Sequence, residues 1–356
     1  CQSSALIYKD SSIDWCCFPK FDSPSIFAKI IDNSIGGFFK VDTVGNYNIS
    51  QEYLKNTCIL KTSFNNGFDE FYILDYMPRY QTKKKSYYSP PEITRIVKYI
   101  KGNPKIRITY DPRLDYSIGK TKSYVKSNFI VSISENENYE TLYLYSNASL
   151  NTIINNEVIE LKSDLFFKIS YYEKLISPKF KEISLEFNKT KKYWINWINK
   201  TPKFKKYNNE ILRSALTLKL LTYQKTGAVL AAVTTSLPET IGEERNWDYR
   251  FCWIRDASMV IKVVAKLGHK NIVKNFIKFI INVIPDKNEK LQIMYGINGE
   301  KILEEKTLDH FSGYLDSTPV RIGNAAYNQK QNDIYGILMD AIHYQIEKFP
   351  SENEEY

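Results

Sequence analysis

Near Lys181 the hydrophobic period of the chain changes from two to 3.6, so one region must be built of sheets and another of helices. Before that point short apolar runs recur at fairly even spacing: 5–8, 13–18, 57–64, 68–77, 93–100, 106–110, 124–134, 140–145, 157–162 and 165–171. Turn residues separate them. Asn65-Asn66-Gly67 is a hairpin signal, because Asn and Gly tolerate positive φ. Many short strands predict a sandwich or barrel, and no helix is expected in this half. Over 181–200, Ile183, Phe187, Trp194 and Ile198 fall at helical spacing and Thr201-Pro202 ends the run, which reads as a linker helix. Beyond Tyr207 helices are expected from Ile211 through Thr222, over 256–267 with Gly268 as C-cap, over 272–284 closed by Pro285, and over 325–346. They are apolar on more than one side, so they require further helices to pack against. The expected domains are 1–180 (β), 181–206 (linker) and 207–356 (helical, with an acidic, polar tail from Pro350).

With 356 residues, 43% of them hydrophobic, the chain can bury a sizeable core. The net charge of +9 comes mostly from scattered lysines. Only Lys83-Lys84-Lys85 and the stretch 203–206 are dense, and both read as solvated loop. No nucleic-acid-binding motif accompanies them, so no nucleic-acid partner is expected. Five cysteines, two of them adjacent and none in a C-x-x-C pair, fit neither a disulfide framework nor a zinc site. A reducing, cytoplasmic compartment is expected, and a membrane partner is not, since no apolar run approaches ~18 residues. His269, His310 and His343 are dispersed, so no metal or cofactor is expected. Cys1 leads straight into a strand-like run, which reads as a fragment beginning inside a strand and not as a lipid-tethered start.

The chemistry is concentrated in residues 242–258, GEERNWDYRFCWIRDAS. Such a segment is compatible with core aromatics and local ion pairs. It also suits a sugar. A pyranose has apolar C–H faces and a rim of hydroxyls, and it is held by an aromatic platform plus fixed bidentate groups. Tyr249 and Trp253 are candidate platforms. Arg255 and Asp256 fall at a helix entrance, where backbone N–H groups favour a carboxylate and a guanidinium donates in a fixed fork. The residues alone leave both readings open.

Residues 212–258, LRSALTLKLLTYQKTGAVLAAVTTSLPETIGEERNWDYRFCWIRDAS, resemble the start of the catalytic barrel in bacterial and archaeal glycoside hydrolase family 15. The stretch 12–37, SIDWCCFPKFDSPSIFAKIIDNSIGG, is similar to that family's N-terminal β-domain. LQIMYGINGE and GYLDSTPVRIGNAAYNQKQNDIYG, within 291–336, are similar to the next barrel segments. The resemblance spans nearly the whole chain. It implies an N-terminal super-β-sandwich, a helical linker and an (α/α)6 barrel, here incomplete. It implies exo-acting, inverting hydrolysis of α-glucosides, of the glucoamylase type on maltodextrins or alternatively of the trehalase type. By motif position it implies that Tyr249, Trp253, Arg255 and Asp256 line the subsite for the non-reducing glucose. Arg321, Gly323 and Asn324 border the pocket, with Gln331 and Asp333 beside them, and the loop 18–23 leans toward the barrel mouth. The family's general acid and base lie beyond the matched segments, so no catalytic residue is assigned and the chain as given is expected to be inactive. Glu243 and Glu244 are expected to brace the loop by pairing with Arg245 or Arg250. A reading of another class, a non-catalytic sugar-binding or scaffold protein, follows from related domains in regulatory subunits of phosphorylase kinase.

Overall fold

The computed structural model describes residues 1–83, 86–284 and 290–348. The helix stop expected at Pro285, Lys84 and Lys85 of the basic run, and the acidic tail lie outside the described residues. The chain forms two compact units, Ser3–Asn196 and, with Cys1–Gln2, Trp197–Tyr356.

The first unit is sheet-rich. Its first strands are β1 (Ala5–Ile7), β2 (Ile13–Cys17), β3 (Ser25–Phe27), β4 (Phe38–Thr43), β5 (Asn48–Tyr53), β6 (Leu60–Asn65) and β7 (Glu70–Tyr76). A small ribbon, β8 (Tyr80–Gln81) with β9 (Tyr87–Tyr88), precedes β10 (Glu92–Lys101) and β11 (Lys105–Asp111). Then follow β12 (Thr121–Val125), β13 (Ile130–Ser134), β14 (Thr141–Ser146), the short helix α1 (Leu150–Ile154), β15 (Val158–Glu160) and β16 (Leu165–Tyr171). The helix α1 stands where only strands were expected; Ser149 caps it by accepting from the Thr152 amide. Two sheets result. One has the order β1-β2-β4-β11-β15 with β3 on β2, the other β12-β13-β14-β16-β10-β7-β6-β5. All their pairings are antiparallel.

One apolar core joins them, with Ile13, Phe39 and Ile108 from the first sheet and Phe71, Ile73, Val97, Leu144 and Phe167 from the second. The Asn65-Asn66-Gly67 turn joins β6 to β7, with Gly67 at φ +93. The run 124–134, expected as one strand, belongs to two, because the polar Lys126-Ser127-Asn128 turns the chain between β12 and β13.

A buried ion pair sits inside this apolar core. Arg95 and Asp75 are 0% and 1% exposed, with Nε 2.7 Å from Oδ1. Arg95 also donates to the Phe39 carbonyl, 2.8 Å away in the other sheet, and to that of Ser11. The expected linker helix is α2 (Phe180–Ile198). It packs on the opposite face of the larger sheet, where Glu186 accepts from Lys168 at 2.7 Å and from the Tyr76 hydroxyl at 3.2 Å.

The second unit holds α3 (Asn208–Leu220), α4 (Ile254–Lys266), α5 (Lys270–Val283) and α6 (Asp333–Lys348). α4 packs against the other three. α5 buries Ile272, Val273, Phe276, Ile277 and Ile280 along one stripe. Gly268 ends α4 at φ +83, the left-handed conformation expected of a C-cap. The helix expected over 325–346 is divided. Asn324 caps a single 3-10 turn, Ala325–Asn328, and α6 begins only at Asp333 after the polar Gln329-Lys330-Gln331-Asn332. Two-residue ribbons lie in the long loops between helices: β17 (Cys252–Trp253) with β18 (Met294–Tyr295), and β19 (Lys306–Thr307) with β20 (Arg321–Ile322). Among the described residues no helix is long and apolar enough to cross a membrane, and no cluster of His, Cys, Asp and Glu could hold a metal.

Candidate functional site

Residues 246–253 run extended. Ala232 and Ser236 donate their amides to the carbonyls of Tyr249 and Trp247, 2.9 and 3.0 Å away, so the strand-like segment is pinned along one side. Extended backbone sends alternate side chains to opposite faces. Asn246, Asp248, Arg250 and Cys252 are buried on one face, while Trp247, Tyr249 and Trp253 of the other remain half-buried. Over 246–250 the sequence N-W-D-Y-R thus separates buried polar side chains from half-buried aromatic rings with a period of two, and the alternation ends at Phe251, which is buried at a bend.

Asp248 and Arg250 engage each other, while Asn246 donates its amide to the Glu243 carbonyl at 2.9 Å. Arg250 and Asp248 form a buried fork, Nε to Oδ1 at 2.9 Å and Nη2 to Oδ2 at 2.7 Å. Asp248 Oδ2 also accepts from the Gly323 amide at 3.2 Å. Gly323 has φ +75, and a Cβ there would stand 1.8 Å from the Glu304 carbonyl oxygen, so glycine alone fits. Asn324 is buried, and both ends of its amide bind backbone, Nδ2 to the Asp248 carbonyl and Oδ1 to the Ala326 amide, each at 3.0 Å. Its side chain holds the segment from behind.

On the aromatic face the Tyr249 and Trp253 rings lie 6.1 Å apart, inclined at 50°. The Tyr249 hydroxyl reaches Glu239 Oε1 at 3.4 Å, and burial, with the Glu239 charge adding to it, pushes the phenol above its ordinary pKa. The indole N–H of Trp253 is buried and has no hydrogen-bond partner among the described residues. Trp253 supplies the N-cap position of α4 with extended backbone, so Asp256 does not cap the helix as its position suggests. It stands in the first turn, where a carboxylate still complements the helix dipole.

Arg255 and Asp256 are 34% and 50% exposed, and Arg255 Nε lies 3.7 Å from Asp256 Oδ2. Arg255 Nη1 also meets Gln331 Oε1 at 2.9 Å and Asp333 Oδ2 at 3.1 Å. Tyr249, Trp253, Arg255 and Asp256 therefore share one partly open surface, with Gln331 and Asp333 behind the arginine.

Arg321 lies at the other end of the segment. Its guanidinium is 4.5 Å from the centre of the Trp247 ring, donates to the Glu244 carbonyl at 2.8 Å and pairs with Glu305 at 3.2 Å. The expected bracing by Glu243 and Glu244 is not what the fold uses. Both are exposed, Arg250 pairs with Asp248, and Arg245 reaches Glu239 at 3.6 Å. Glu239, Trp247, Asp248 and Glu305 were not singled out from sequence. The alternation through 246–250 was the available signal for Trp247 and Asp248; Glu239 and Glu305 had none.

The comparisons agree with this segment order. Residues 205–353 match the family model described as Glycosyl hydrolases family 15, and residues 1–145 match one described as Trehalase-like, N-terminal. A protein named Trehalase from Thermoplasma acidophilum is 35% identical over 344 residues, covering 95% of this chain and 58% of that protein. Proteins of the same name from Mycolicibacterium smegmatis and Mycobacterium tuberculosis are 33% and 32% identical over 96% of the chain, and over 55% and 54% of their own lengths. The chain thus spans somewhat more than half the length of these relatives.

Proposed function

Because the chain belongs to glycosyl hydrolase family 15, we propose that it serves the hydrolysis of an α-linked glucoside and that the substrate is trehalose. The resemblance in sequence put maltodextrin first. The relatives named above are trehalases, which favours the disaccharide and draws support away from the regulatory reading. The geometry that supports a sugar site is the tilted Tyr249–Trp253 pair beside the half-open Arg255 and Asp256. The rings offer apolar faces to the sugar's C–H groups, and the charged pair offers a donor fork and an acceptor to vicinal hydroxyls. In this assignment Tyr249, Trp253, Arg255 and Asp256 touch glucose. Arg321 closes the rim through Trp247, and Asn324 positions the segment from behind.

Helices α3 to α6 are read as the opening part of an (α/α)6 barrel. Met259 and Val263 of α4 and Tyr335, Met339 and Ile346 of α6 support this, since they are exposed on helices whose opposite faces are already buried. Inversion needs two carboxyl groups roughly 6.5–9.5 Å apart, one of them a buried acid that holds its proton. Glu243 and Glu244 lack burial, and Arg255 draws both Asp256 and Asp333 to itself. Among the described residues these four carboxyl groups are therefore assigned no part as catalytic acid or base.

Two preparations test the proposal: residues 1–356 alone, and a chimera joining them to the remaining length of the Thermoplasma acidophilum relative. The chimera should release glucose from trehalose and not from maltotriose, while residues 1–356 alone should release none. Hydrolysis of maltotriose but not trehalose would overturn the substrate assignment. Turnover by residues 1–356 that disappears in Glu243→Gln or Glu244→Gln would overturn the absence of an acid.

A further inference from the structure

The larger sheet of the first unit ends on β5, which pairs with β6 on one side and with no strand on the other. All its residues, Asn48–Tyr53, are exposed. Such an edge offers a row of amides and carbonyls to any further strand. The other sheet ends are blunted. β1 and β15 are three residues long, and β12 carries Lys122 and has α1 packed beside it. β5 contains neither proline nor lysine, and its one charge, Glu52, is met by Lys61 at 3.6 Å.

Two features of β5 decide what its open side can pair with. Leu54, one residue past the strand and in the same register, donates its amide to the Ile59 carbonyl of the β6 side at 2.9 Å. Backbone groups alternate in direction along a strand, so Ile49, Gln51 and Tyr53 turn theirs away from β6. The side chains add a second constraint. Ile49 lies opposite Phe64 and Gln51 opposite Thr62, and both of these are buried on the core side of the sheet. Ile49, Gln51 and Tyr53 therefore share that side. Yet Ile49 is 41% and Tyr53 45% exposed. From the smaller sheet the turn after β1 reaches Gln51, whose Nε2 donates to the Tyr8 carbonyl at 3.1 Å, and the Tyr8 side chain is itself exposed. A strip of core-side apolar surface thus lies open along this edge.

We propose that β5 pairs antiparallel with β5 of a second copy of this chain, about a two-fold axis at Gln51. In this register Gln51 faces Gln51 of the other copy, and Ile49 faces Tyr53 at both ends. The outward-turned residues become the hydrogen-bonded pairs, and the two apolar strips meet on one face as aliphatic–aromatic pairs, which favour strand pairing. No charge faces a like charge, because Glu52 stands opposite Ser50 on the other side of the sheet. Moving the axis one residue toward Tyr53 would set Glu52 against its own copy, and one residue toward Asn48 would leave Ile49 opposite Gln51. The edge is thus complementary to itself in one register, as a two-fold interface requires. This pairing stands independently of the role proposed for residues 249–256.

Sedimentation velocity of the unaltered chain from about 1 to 100 µM should show a dimer that grows with concentration, and hydrogen exchange of the 48–53 segment should slow over the same range. Gln51→Lys sets two ammonium groups opposite each other only in the dimer, and Gln51→Glu two carboxylates. Each should weaken dimerisation about 5-fold or more, and an equimolar mixture of the two should dimerise at least as tightly as the parent, since opposite charges then meet. Gln51 is exposed, so both variants should keep the parent's circular-dichroism melt. The double variant Ile49→Thr/Tyr53→Thr, which retains residues suited to strands, should weaken the dimer as well. A monomer throughout the range, a dimer unmoved by Gln51→Lys or by the double variant, or a mixture no tighter than its components would overturn the pairing. So would a dimer in which 48–53 exchanges as fast as in the monomer, which would place the contact on another surface, such as the exposed faces of α4 and α6.

Discussion

Asp256 and His269 show how one side chain's surroundings decide its use. Asp256 is half-exposed in the first turn of α4, so removing its charge costs the fold little. If it accepts from a glucose hydroxyl, Asp256→Asn in the active chimera should lower kcat/KM on trehalose about 10–100-fold with an unchanged melting temperature. A near-normal kcat/KM would remove it from the site. His269 is the opposite case. It is 5% exposed, stacks on Trp197 with ring centres 3.8 Å apart, and shares a 2.8 Å hydrogen bond with the Thr201 hydroxyl. Burial, with Lys219 and Lys200 adding to it, pulls its pKa down to about 4. The unfolded chain binds a proton near pH 6.5 and the folded one does not. The stabilisation is therefore complete above about pH 6.5 and is lost as pH falls toward 4, by about 3 kcal/mol at most. Melting temperatures from pH 7.5 to 4.5 should fall more steeply for the unaltered protein than for His269→Gln. Parallel curves would exclude His269 as the cause.

At the level of elements, β10 carries charge on both faces. Arg95 points into the apolar core and ties Asp75 to the carbonyls of Phe39 and Ser11, while Glu92, on the opposite face, meets Lys168 beneath α2. A buried pair is weak evidence of net stabilisation, but breaking one leaves an uncompensated charge. Arg95→Met should destabilise by about 3–5 kcal/mol in urea unfolding, and adding Asp75→Leu should recover part of that loss. A single variant within about 0.5 kcal/mol of the parent would show that Asp75 finds other compensation. The alternation of Ile93, Arg95 and Val97 on one face was visible in sequence, yet a strand reader places Arg on the solvent side by default. Only pairing with β7 and β16 on either side makes β10 a central strand, buried on both faces.

For the whole molecule, the two units differ in the range of their contacts. The sheet unit joins strands distant in sequence, as where β4 pairs with β11 and β10 lies between β7 and β16. In the helical unit three residues join α4 to α5, while long loops separate α3 from α4 and α5 from α6. Residues 202–206 join α2 to α3 without regular structure and carry Lys203, Lys205 and Lys206, all exposed. Brief trypsin treatment should cut there first and leave a β-rich fragment of the first 200 or so residues, identified by mass and circular dichroism. First cuts inside α2 or between β10 and β16 would contradict two separable domains.

What the sequence determined by itself was local. The change of period at Lys181, the Asn-Asn-Gly turn, the Gly268 stop and the order of motifs are set by backbone sterics and near neighbours, so each is readable over a few residues. The concentration of Tyr249, Trp253, Arg255 and Asp256 in one segment was readable for the same reason. The partners of charges were decided only by the tertiary structure. Arg250 chose Asp248 over Glu243 or Glu244 because extended backbone buries positions two apart on one face. Arg321 reached Trp247, and Asn324 the Asp248 carbonyl, across more than seventy residues because the β19–β20 ribbon brings that loop under the segment. The side chains of a charge pair interact strongly only when burial removes water, and burial is a property of the assembled fold, not of any stretch of chain.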